Sequence, residues 1–406
     1  MTDFKEFSDK KIFVLTPGLP GWGLMDYSYW DTLTFDDHWT KELDVKFILV
    51  EPGPMSSHHD RACEIFAQLS GRLTDFGKEH SEHFSHHRHG RDFSHKKLIQ
   101  EHWSERNPVN FICHCVGINT VRYLQYLLAE DFWKLGTNEK WIKSIVSING
   151  NINGTQFLHF LGIDSVTGLG SKKKLCKATK KVFNGVLWSL NRLKNLTEFQ
   201  KQIAVEWNWN HWNVSTKTDN WQNQMLTESA IFTNSDNLFY DSTIHGANRL
   251  NSIVPPSYPC TYYLSFFAKA TKSENSFQIS HQLNPILIAP ASYLLHTRFS
   301  TGILNSNAYK CVEWWESDGV YPVASQKFPL NCTRHEQIES LNSSAAFNKG
   351  CWYYGNIQKI IGCHCVVDHF SMIWCRKFLK SESFQLSEND QKEFYYNLIA
   401  NLIAFD

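Results

Sequence analysis

The stretch FICHCVGIN (residues 111–119) leads from an apolar, strand-like segment through a glycine into a helical pattern of apolar residues. This pattern indicates a nucleophile elbow, the sharp strand-to-helix turn that lifts a reactive side chain above a parallel sheet. The N-terminus of the following helix favours a developing anion. Cys115 occupies the central position, so the stretch predicts a cysteine nucleophile. Gly117 supplies one small residue, but Cys113 stands where a glycine or alanine is usual, and a buried cysteine at a strand end remains the alternative.

Short apolar runs alternate with longer helical patterns along the rest of the chain, which predicts parallel strands joined by helices. Strands are expected at residues 11–16, 45–51, 109–113, 142–148 and 359–367. Near the end of the chain, Ser387 with Asp390 resembles a helix N-cap, and an apolar stripe at helical spacing follows at Phe394, Tyr395, Leu398, Ile399, Leu402 and Ile403. Internal repeats and low-complexity linkers are not apparent. We therefore expect one α/β domain over residues 1–406, with a mostly parallel central sheet.

Two later segments supply partners for a nucleophile at Cys115. WESDG (residues 315–319) offers Asp318 as an acid, and VDHF (residues 367–370) offers His369 as a base. The order nucleophile, acid, base along the chain is that of the α/β-hydrolase fold. A cysteine nucleophile needs a positioned histidine, and a carboxylate fixes the tautomer of that histidine. The sequence therefore predicts a triad of Cys115, His369 and Asp318.

Composition argues against several classes of protein. Basic and acidic residues number 40 each, so the formal charge is zero, whereas a nucleic-acid-binding protein usually has a basic balance. The apolar run at residues 12–15 is too short for a signal peptide or a membrane span. Eleven cysteines, an odd number, do not suggest a disulfide framework in a long chain. The expectation is a cytoplasmic protein without a nucleic-acid partner or a transmembrane segment.

Several separated blocks of the sequence resemble the zinc-binding, thermoalkalophilic bacterial lipases of the Geobacillus and staphylococcal type. The blocks are PGLPGWG (residues 17–23), GPMSSHHDRACE (53–64), HGR (89–91), YDSTIHGA (240–247), TYYLSF (261–266), WESDG (315–319) and VDH (367–369). Their order is the order found in that family. The resemblance implies an α/β-hydrolase fold with a zinc-bearing insertion at residues 54–108 and a helical lid within residues 155–245.

The resemblance also implies roles for individual residues. The backbone amides of Leu19 and Val116 would form the oxyanion hole, which tolerates side-chain replacement because the amides alone are used. A structural zinc ion would be held by Asp60, His80, His86 and Asp236, a ligand set that tetrahedral zinc accepts. Alternative ligands from the same histidine-rich segment stay open, namely His83, His87 and His89. The family's calcium ligands correspond here to Ser371 and Arg376, so calcium binding is not expected.

A cysteine in place of the family's serine changes the expected chemistry. A thiolate attacks esters and especially thioesters, and its acyl-thioester is reactive toward a second substrate. The expected function is therefore cleavage of an ester or thioester, or acyl transfer, through an acyl group on Cys115. Two alternatives stay open: a cyclisation or condensation in small-molecule biosynthesis on the same triad, and a catalytically inactive, lipase-derived binding protein.

A basic amphipathic helix is predicted at residues 172–194, where the family carries its lid. It would open over an apolar acyl substrate or make transient contact with a lipid surface. An ordinary surface helix packed on the core is the alternative interpretation.

The triplet Cys-His-Cys occurs twice, at residues 113–115 and 363–365. The two triplets could share a metal ion, although each Cys-x-Cys pair is tighter than the usual spacing in structural zinc sites. They could also form a disulfide or redox pair, and oxidation would then silence Cys115.

Overall fold

The structure of the protein, a computed structural model, describes residues 10–18, 29–30, 37–100, 102–160, 163–164, 167–170, 211, 234–272, 278–279, 291, 312–341, 347–373 and 386–405. The helix predicted at residues 172–194 lies outside these residues, and so do Leu19 and Arg376.

A seven-stranded sheet forms the centre of the protein, and all of its neighbouring strands run parallel. The strands of the described residues are β1 (Lys11–Thr16), β2 (Val45–Leu49), β3 (Leu73–Asp75), β4 (His89–Asp92), β5 (Val109–His114), β6 (Ile142–Ile148), β7 (Tyr262–Phe267), β8 (Thr271–Lys272), β9 (Gln278–Ile279), β10 (His335–Ile338) and β11 (Trp352–Asn356). Seven of them form the central sheet, in the order β10-β11-β7-β6-β5-β1-β2. Two antiparallel pairs, β3 with β4 and β8 with β9, lie outside it. The predicted fold class, an α/β protein with a mostly parallel sheet, is confirmed.

Helices connect and cover the strands. They are α1 (Asp37–Glu42), α2 (His58–Ser70), α3 (Lys78–Phe84), α4 (Gly117–Ala129), α5 (Phe157–Phe160), α6 (Leu238–Asp241), α7 (Ile244–Ile253), α8 (Val323–Lys327), α9 (Ile357–Ile361) and α10 (Glu388–Ala404), with 3-10 turns at Glu139–Trp141 and Val312–Trp314. Across the residues that the structure describes, none of these helices is long and apolar enough to traverse a bilayer.

Apolar side chains cover both faces of the sheet. In β1, Phe13 belongs to one buried cluster and its neighbour Val14 to another, and Ile112 and Phe111 of β5 are divided in the same way. Successive residues of a strand point to opposite faces, so each cluster fills one side of the sheet. Burial on both faces explains why these strands appear in the sequence as nearly continuous apolar runs.

Four of the five predicted strands are present. Those predicted at residues 11–16 and 142–148 coincide with β1 and β6. Those predicted at 45–51 and 109–113 differ from β2 and β5 by two residues and one residue at their ends. Continuous apolar runs bounded by turn residues therefore located these buried strands well.

The strand predicted at residues 359–367 is wrong, because the strand in this part of the chain is β11 and it is followed by α9. The Asn356 side chain accepts a hydrogen bond from the Lys359 amide (3.0 Å), which caps the start of α9. Gly362 ends the helix with a φ of 74°, a conformation that glycine adopts readily. The apolar residues of the run are thus divided between a short helix and irregular chain that leads to His369.

Helix α10 begins as predicted. The Ser387 side chain accepts a hydrogen bond from the Asp390 amide (3.0 Å), and the Asp390 carboxylate accepts one from the Ser387 amide (3.2 Å), which completes a capping box. The predicted apolar stripe packs on one face of the sheet, where Phe394 meets Phe266 edge-on at 5.1 Å between ring centroids.

Candidate active site and metal centre

Cys115 lies at a strained turn between β5 and α4. Its φ is 61°, in the left-handed region that residues other than glycine rarely adopt. The Cys115 amide donates to the Ile148 carbonyl (3.2 Å), and the Cys115 carbonyl accepts from the Asn151 amide (3.0 Å), so both sides of the turn are held. This is the backbone geometry of a nucleophile elbow, and it presents the thiol at the carboxyl end of the sheet.

Two glycines permit the close approaches around this turn. A Cβ atom on Gly117 would lie 2.7 Å from the Thr16 carbonyl oxygen. A Cβ atom on Gly18 would lie 2.2 Å from the Cβ and 2.7 Å from the sulfur of Cys115. Contacts this short do not occur between real atoms, so glycine is required at both positions. The segment that resembles the family's oxyanion loop therefore passes directly against the thiol.

The side chains of Asp318 and His369 meet at the same end of the sheet. The His369 ring donates from Nδ1 to Oδ2 of Asp318 (2.8 Å), and Oδ1 of Asp318 accepts from the amides of Val320 and Tyr321 (2.8 Å each). His369 also hydrogen-bonds the Cys115 sulfur. The structure thus brings Cys115, His369 and Asp318 into one connected array.

Charge rather than burial determines the protonation of His369. Burial lowers the pKa of the imidazole, but the Asp318 carboxylate, followed by Cys115, outweighs it and raises this pKa to about 10. An imidazolium facing the sulfur at neutral pH is the partner that a thiolate nucleophile requires.

Two phenols that sequence reasoning did not identify lie close to the thiol. The Tyr321 hydroxyl is 3.1 Å from the Cys115 sulfur. The Tyr29 hydroxyl accepts a hydrogen bond from the Gly18 amide (2.9 Å). Tyr321 follows Asp318 by three residues, but no sequence pattern indicates that its side chain turns toward the elbow.

His114, which the sequence marked only as part of a Cys-His-Cys triplet, lies beside His369. Its Nε2 lies 2.8 Å from the His369 carbonyl, which can only accept, so this nitrogen carries the proton and Nδ1 accepts from the Tyr29 hydroxyl (2.5 Å). Burial, followed by the charge of His369, holds the pKa of His114 well below its usual value, which keeps the ring neutral. A chain of hydrogen bonds therefore runs from Gly18 through Tyr29 and His114 to the backbone of His369.

Apolar side chains pack beside the thiol. Cys115, Val116, Leu238 and Tyr321 form a small buried cluster.

Val116 precedes the first residue of α4, so its amide belongs to the first turn, where amides lack acceptors within the helix. Leu19, the other predicted oxyanion residue, lies outside the described residues.

A second polar cluster joins α2, α3 and the chain before α6. Asp60, His80, His86 and Asp236 each place one candidate ligand atom within 4.8 Å of all the others. His80 Nε2 is 3.1 Å from Asp60 and 3.3 Å from Asp236, and His86 Nε2 is 3.2 Å from Asp236 and 3.9 Å from Asp60. The four predicted ligands are thus brought together although they come from three separate parts of the chain.

The orientation of these rings suits a shared cation. His86 donates from Nδ1 to the His87 carbonyl (2.9 Å), so its Nε2 carries the lone pair that faces the carboxylates. Within the described residues, Nε2 of His80 and Nε2 of His86 are buried without a partner in hydrogen-bond geometry. Buried polar atoms rarely stay unsatisfied, so the cluster fits a bound metal ion better than a set of ion pairs. The alternative ligands His83, His87 and His89 are exposed and lie outside the cluster.

His211 approaches this cluster from the segment that sequence analysis assigned to the lid. Its Nε2 is 2.9 Å from Oδ2 of Asp60, and its ring centroid is 4.1 Å from that of His86 and 5.1 Å from that of Phe76. Nothing in the local sequence distinguishes this histidine, because its contact with Asp60 exists only in the folded chain.

The two Cys-His-Cys triplets do not form a joint cluster. Among the described residues, the groups of close metal-ligating side chains contain neither Cys363 nor Cys365. Their sulfurs are 2.7 Å apart and pack on one side of the sheet, whereas Cys113 belongs to the cluster on the other side. All of the described cysteines are free.

The parallel sheet, the elbow at its carboxyl end and the order of the three clustered side chains define an α/β-hydrolase. A family profile described as "Lipase-like, C-terminal domain" matches residues 51–406, and the chain belongs to this family. The lipase of Staphylococcus hyicus is 24% identical over 323 residues, which cover 73% of this chain and 43% of the lipase. Lipase 2 of Staphylococcus aureus (strain MRSA252) is 25% identical over 309 residues, which cover 73% of this chain and 40% of that protein. The chain therefore spans less than half the length of these relatives.

Solved structures agree at the level of the fold. The crystal structure of Staphylococcus hyicus lipase aligns over 100% of this chain and 98% of its own with a TM-score of 0.70 at 19% identity. EstA from Clostridium botulinum aligns over 97% of this chain and 87% of its own with a TM-score of 0.70 at 22% identity. The predicted resemblance to staphylococcal lipases is confirmed.

Proposed function

We propose that the protein cleaves an ester or thioester, or transfers its acyl group, through a covalent acyl group on Cys115. The observation that carries the proposal is the position of this thiol: a cysteine at a positive φ, hydrogen-bonded to His369, whose ring is held by Asp318. A buried structural cysteine needs neither the strained turn nor a charged partner.

The residues allow a balanced reaction. The Cys115 thiolate adds to the substrate carbonyl, and the amide of Val116, at the start of α4, would stabilise the oxyanion. When the carbon–oxygen or carbon–sulfur bond breaks, His369 gives its proton to the leaving alcohol or thiol. The neutral imidazole then takes a proton from water or from a second acceptor, which attacks the acyl-Cys115 bond and regenerates the thiolate. Asp318 holds the His369 ring in the required tautomer throughout.

Sulfur at the nucleophile position favours thioesters and acyl transfer over hydrolysis of bulk fat. An acyl-thioester is more reactive toward amines and carbanions than an oxygen ester, so a second metabolite can compete with water for the acyl group. The small apolar cluster beside the thiol, including Val116 and Leu238, suits an apolar acyl chain.

We further propose that the cluster of Asp60, His80, His86 and Asp236 holds a structural zinc ion. Zinc–nitrogen and zinc–oxygen bonds of about 2.0–2.1 Å place the ligands of a tetrahedral ion about 3.3 Å from one another. Three of the four histidine–aspartate separations in the cluster, 3.1, 3.3 and 3.2 Å, support this size, and the fourth is longer at 3.9 Å. Four protein ligands would fill the tetrahedron, so the ion would stabilise the fold rather than activate water. Calcium is not part of the proposal, because Ser371 offers a hydroxyl where the family has a carboxylate.

Intact-mass spectrometry tests the acyl-enzyme. The protein is exposed to acyl-thioesters and to p-nitrophenyl esters of several chain lengths, and the mass and turnover are followed. We expect an adduct of one acyl group that maps to Cys115, and Cys115→Ala should lose both adduct and turnover. Cys332→Ala is the control, because Cys332 is also buried but belongs to the core cluster that does not contain Cys115. Unchanged turnover in Cys115→Ala refutes the proposal, whereas turnover without an adduct points to cyclisation or condensation on the same residues.

A further inference from the structure

The side chain of Tyr321 places its hydroxyl against the Cys115 sulfur. Its hydroxyl is 3.1 Å from the Cys115 sulfur, within reach of a hydrogen bond. The ring also meets the His369 ring edge-on, at 5.1 Å between centroids. Tyr321 is 5% exposed, so water does not compete strongly for this contact.

The direction of this hydrogen bond follows from the charges at the site. Burial, followed by the negative charge of Cys115, holds the pKa of Tyr321 well above its usual value, so the phenol keeps its proton. A thiolate paired with the His369 imidazolium has no proton to give. The phenol therefore donates and the sulfur accepts.

The main chain fixes the phenol in place. The Tyr321 amide donates to Oδ1 of Asp318 (2.8 Å), the carboxylate whose other oxygen holds His369. The Tyr321 carbonyl accepts from the Gln326 side chain (2.9 Å) and from the Asp318 amide (3.3 Å). One carboxylate thus positions both groups that touch the sulfur, the imidazole through its ring and the phenol through its backbone.

We infer that Tyr321 is a fourth catalytic residue, whose hydroxyl donates a hydrogen bond to the Cys115 thiolate and stabilises it together with His369. The inference rests on the proposed function, because it concerns the thiolate that forms the acyl-enzyme. A hydrogen bond to a charged acceptor is among the stronger ones, and a neutral donor stabilises the anion without adding a positive charge. This hydrogen bond is lost once the sulfur is acylated. It therefore stabilises the Cys115 thiolate in the free enzyme and again as the acyl group leaves the sulfur.

The pH dependence of Cys115 alkylation tests this role without requiring turnover. Iodoacetamide is applied between pH 5 and 10, and the rate at Cys115 is followed by peptide mass. In Tyr321→Phe, which removes only the hydroxyl, we expect the midpoint of the thiolate titration to rise by about one pH unit. The alkylation rate below the midpoint should fall about tenfold. Tyr263→Phe is the matched control, because its buried hydroxyl bonds Gln125 instead (2.7 Å).

The outcomes separate this inference from the proposed function. If Cys115 in the unaltered protein titrates like an ordinary thiol, the thiolate of the proposed function and the role of Tyr321 are both refuted. If the unaltered protein shows a low midpoint and Tyr321→Phe leaves that midpoint unchanged, only the role of Tyr321 is refuted. A merely structural role would lower thermal stability in Tyr321→Phe without moving the midpoint.

Thermal unfolding provides a second measurement that does not depend on alkylation. Tyr321→Phe is compared in the unaltered chain and in Cys115→Ala. If the hydroxyl acts on the sulfur, its removal should change the unfolding temperature less when the sulfur is already absent, because double-mutant cycles isolate the pairwise effect. Equal changes in both backgrounds would overturn the inference.

Discussion

The positive charge of His369, at the carboxyl end of the sheet, depends most strongly on Asp318. Burial opposes a charged His369, and the adjacent carboxylate is the largest influence that raises the pKa of this imidazole to about 10. A histidine whose pKa is raised on folding adds stability that is fully present below pH 6.5 and disappears as the pH rises toward 10. The same carboxylate therefore contributes to stability and to the charge that faces the Cys115 sulfur.

This dependence predicts the pH profile of Asp318→Asn. Without the carboxylate, the pKa of His369 should fall toward 6.5, and the alkaline limb of acylation should move to lower pH. The rate of acylation at neutral pH should fall by roughly 10²–10⁴-fold, because the tautomer and the imidazolium both lose support. Burst kinetics with a p-nitrophenyl ester between pH 5 and 11 measure both effects. Asp75→Asn, which alters a carboxylate paired with Arg88 elsewhere, should leave the profile unchanged; an unmoved alkaline limb in Asp318→Asn would contradict the assignment.

At the scale of the elements, α2 contacts both the candidate metal cluster and the loop beside Cys115. Asp60, near the start of α2, belongs to the candidate metal cluster. Its neighbour Arg61 is buried and donates to the carbonyls of Pro17 (2.9 Å) and Gly53 (2.9 Å), and so fixes the chain next to Gly18. The single helical turn that carries both residues is N-capped by Ser57, whose side chain accepts from the Asp60 amide (3.3 Å). A displacement of Asp60 would therefore also displace the loop that packs against the thiol.

His211 supports Asp60 from outside the set of four ligands. Its Nε2 lies 2.9 Å from Oδ2 of Asp60. A side chain that holds a ligating carboxylate in place orients it, and loss of such a partner typically weakens metal binding about 10–100-fold. We predict this loss for His211→Ala, with the fold retained. Competition between the protein and a fluorescent zinc chelator measures the affinity, and His83→Ala, an exposed neighbour of the ligands, is the control. An affinity equal to that of the unaltered protein would remove His211 from the metal centre.

Sequence reasoning succeeded where the signal is local or ordered along the chain. Buried strands such as β6 follow from continuous apolar runs, and α10 follows from the capping box at Ser387. Cys115, Asp318 and His369 could be named as candidates because their order and flanking residues are characteristic, and their side chains lie together in the structure. Tyr321 and His211 could not, because their contacts with the thiol and with Asp60 join distant parts of the chain. The strand expected at residues 359–367 is absent, because Asn356 caps a helix at the start of this apolar run and Gly362 ends that helix.

For the whole molecule, the candidate metal cluster and the proposed active site are joined by one continuous core. The cluster that contains Ile65 of α2 also contains Phe111 of β5 and Val121 of α4, the elements on either side of Cys115. Loss of an ion from the start of α2 would therefore act on the same packed face that supports the elbow. The metal is expected to influence the nucleophile through the fold, with no direct contact.

Removal of zinc should accordingly lower both thermal stability and acylation. An ion that binds only the folded state stabilises it by about 2.7 kcal/mol when its free concentration is one hundred times its dissociation constant. Calorimetry with and without a chelator measures the loss, and intact-mass kinetics measure acylation of Cys115 in the same samples. Asp236→Asn removes one ligand, so its unfolding temperature should start low and respond weakly to the chelator. Because α2 links Asp60 to the loop at Gly18, acylation should decline at temperatures below the onset of unfolding; full acylation in the metal-free protein up to that onset would show that the two centres are independent.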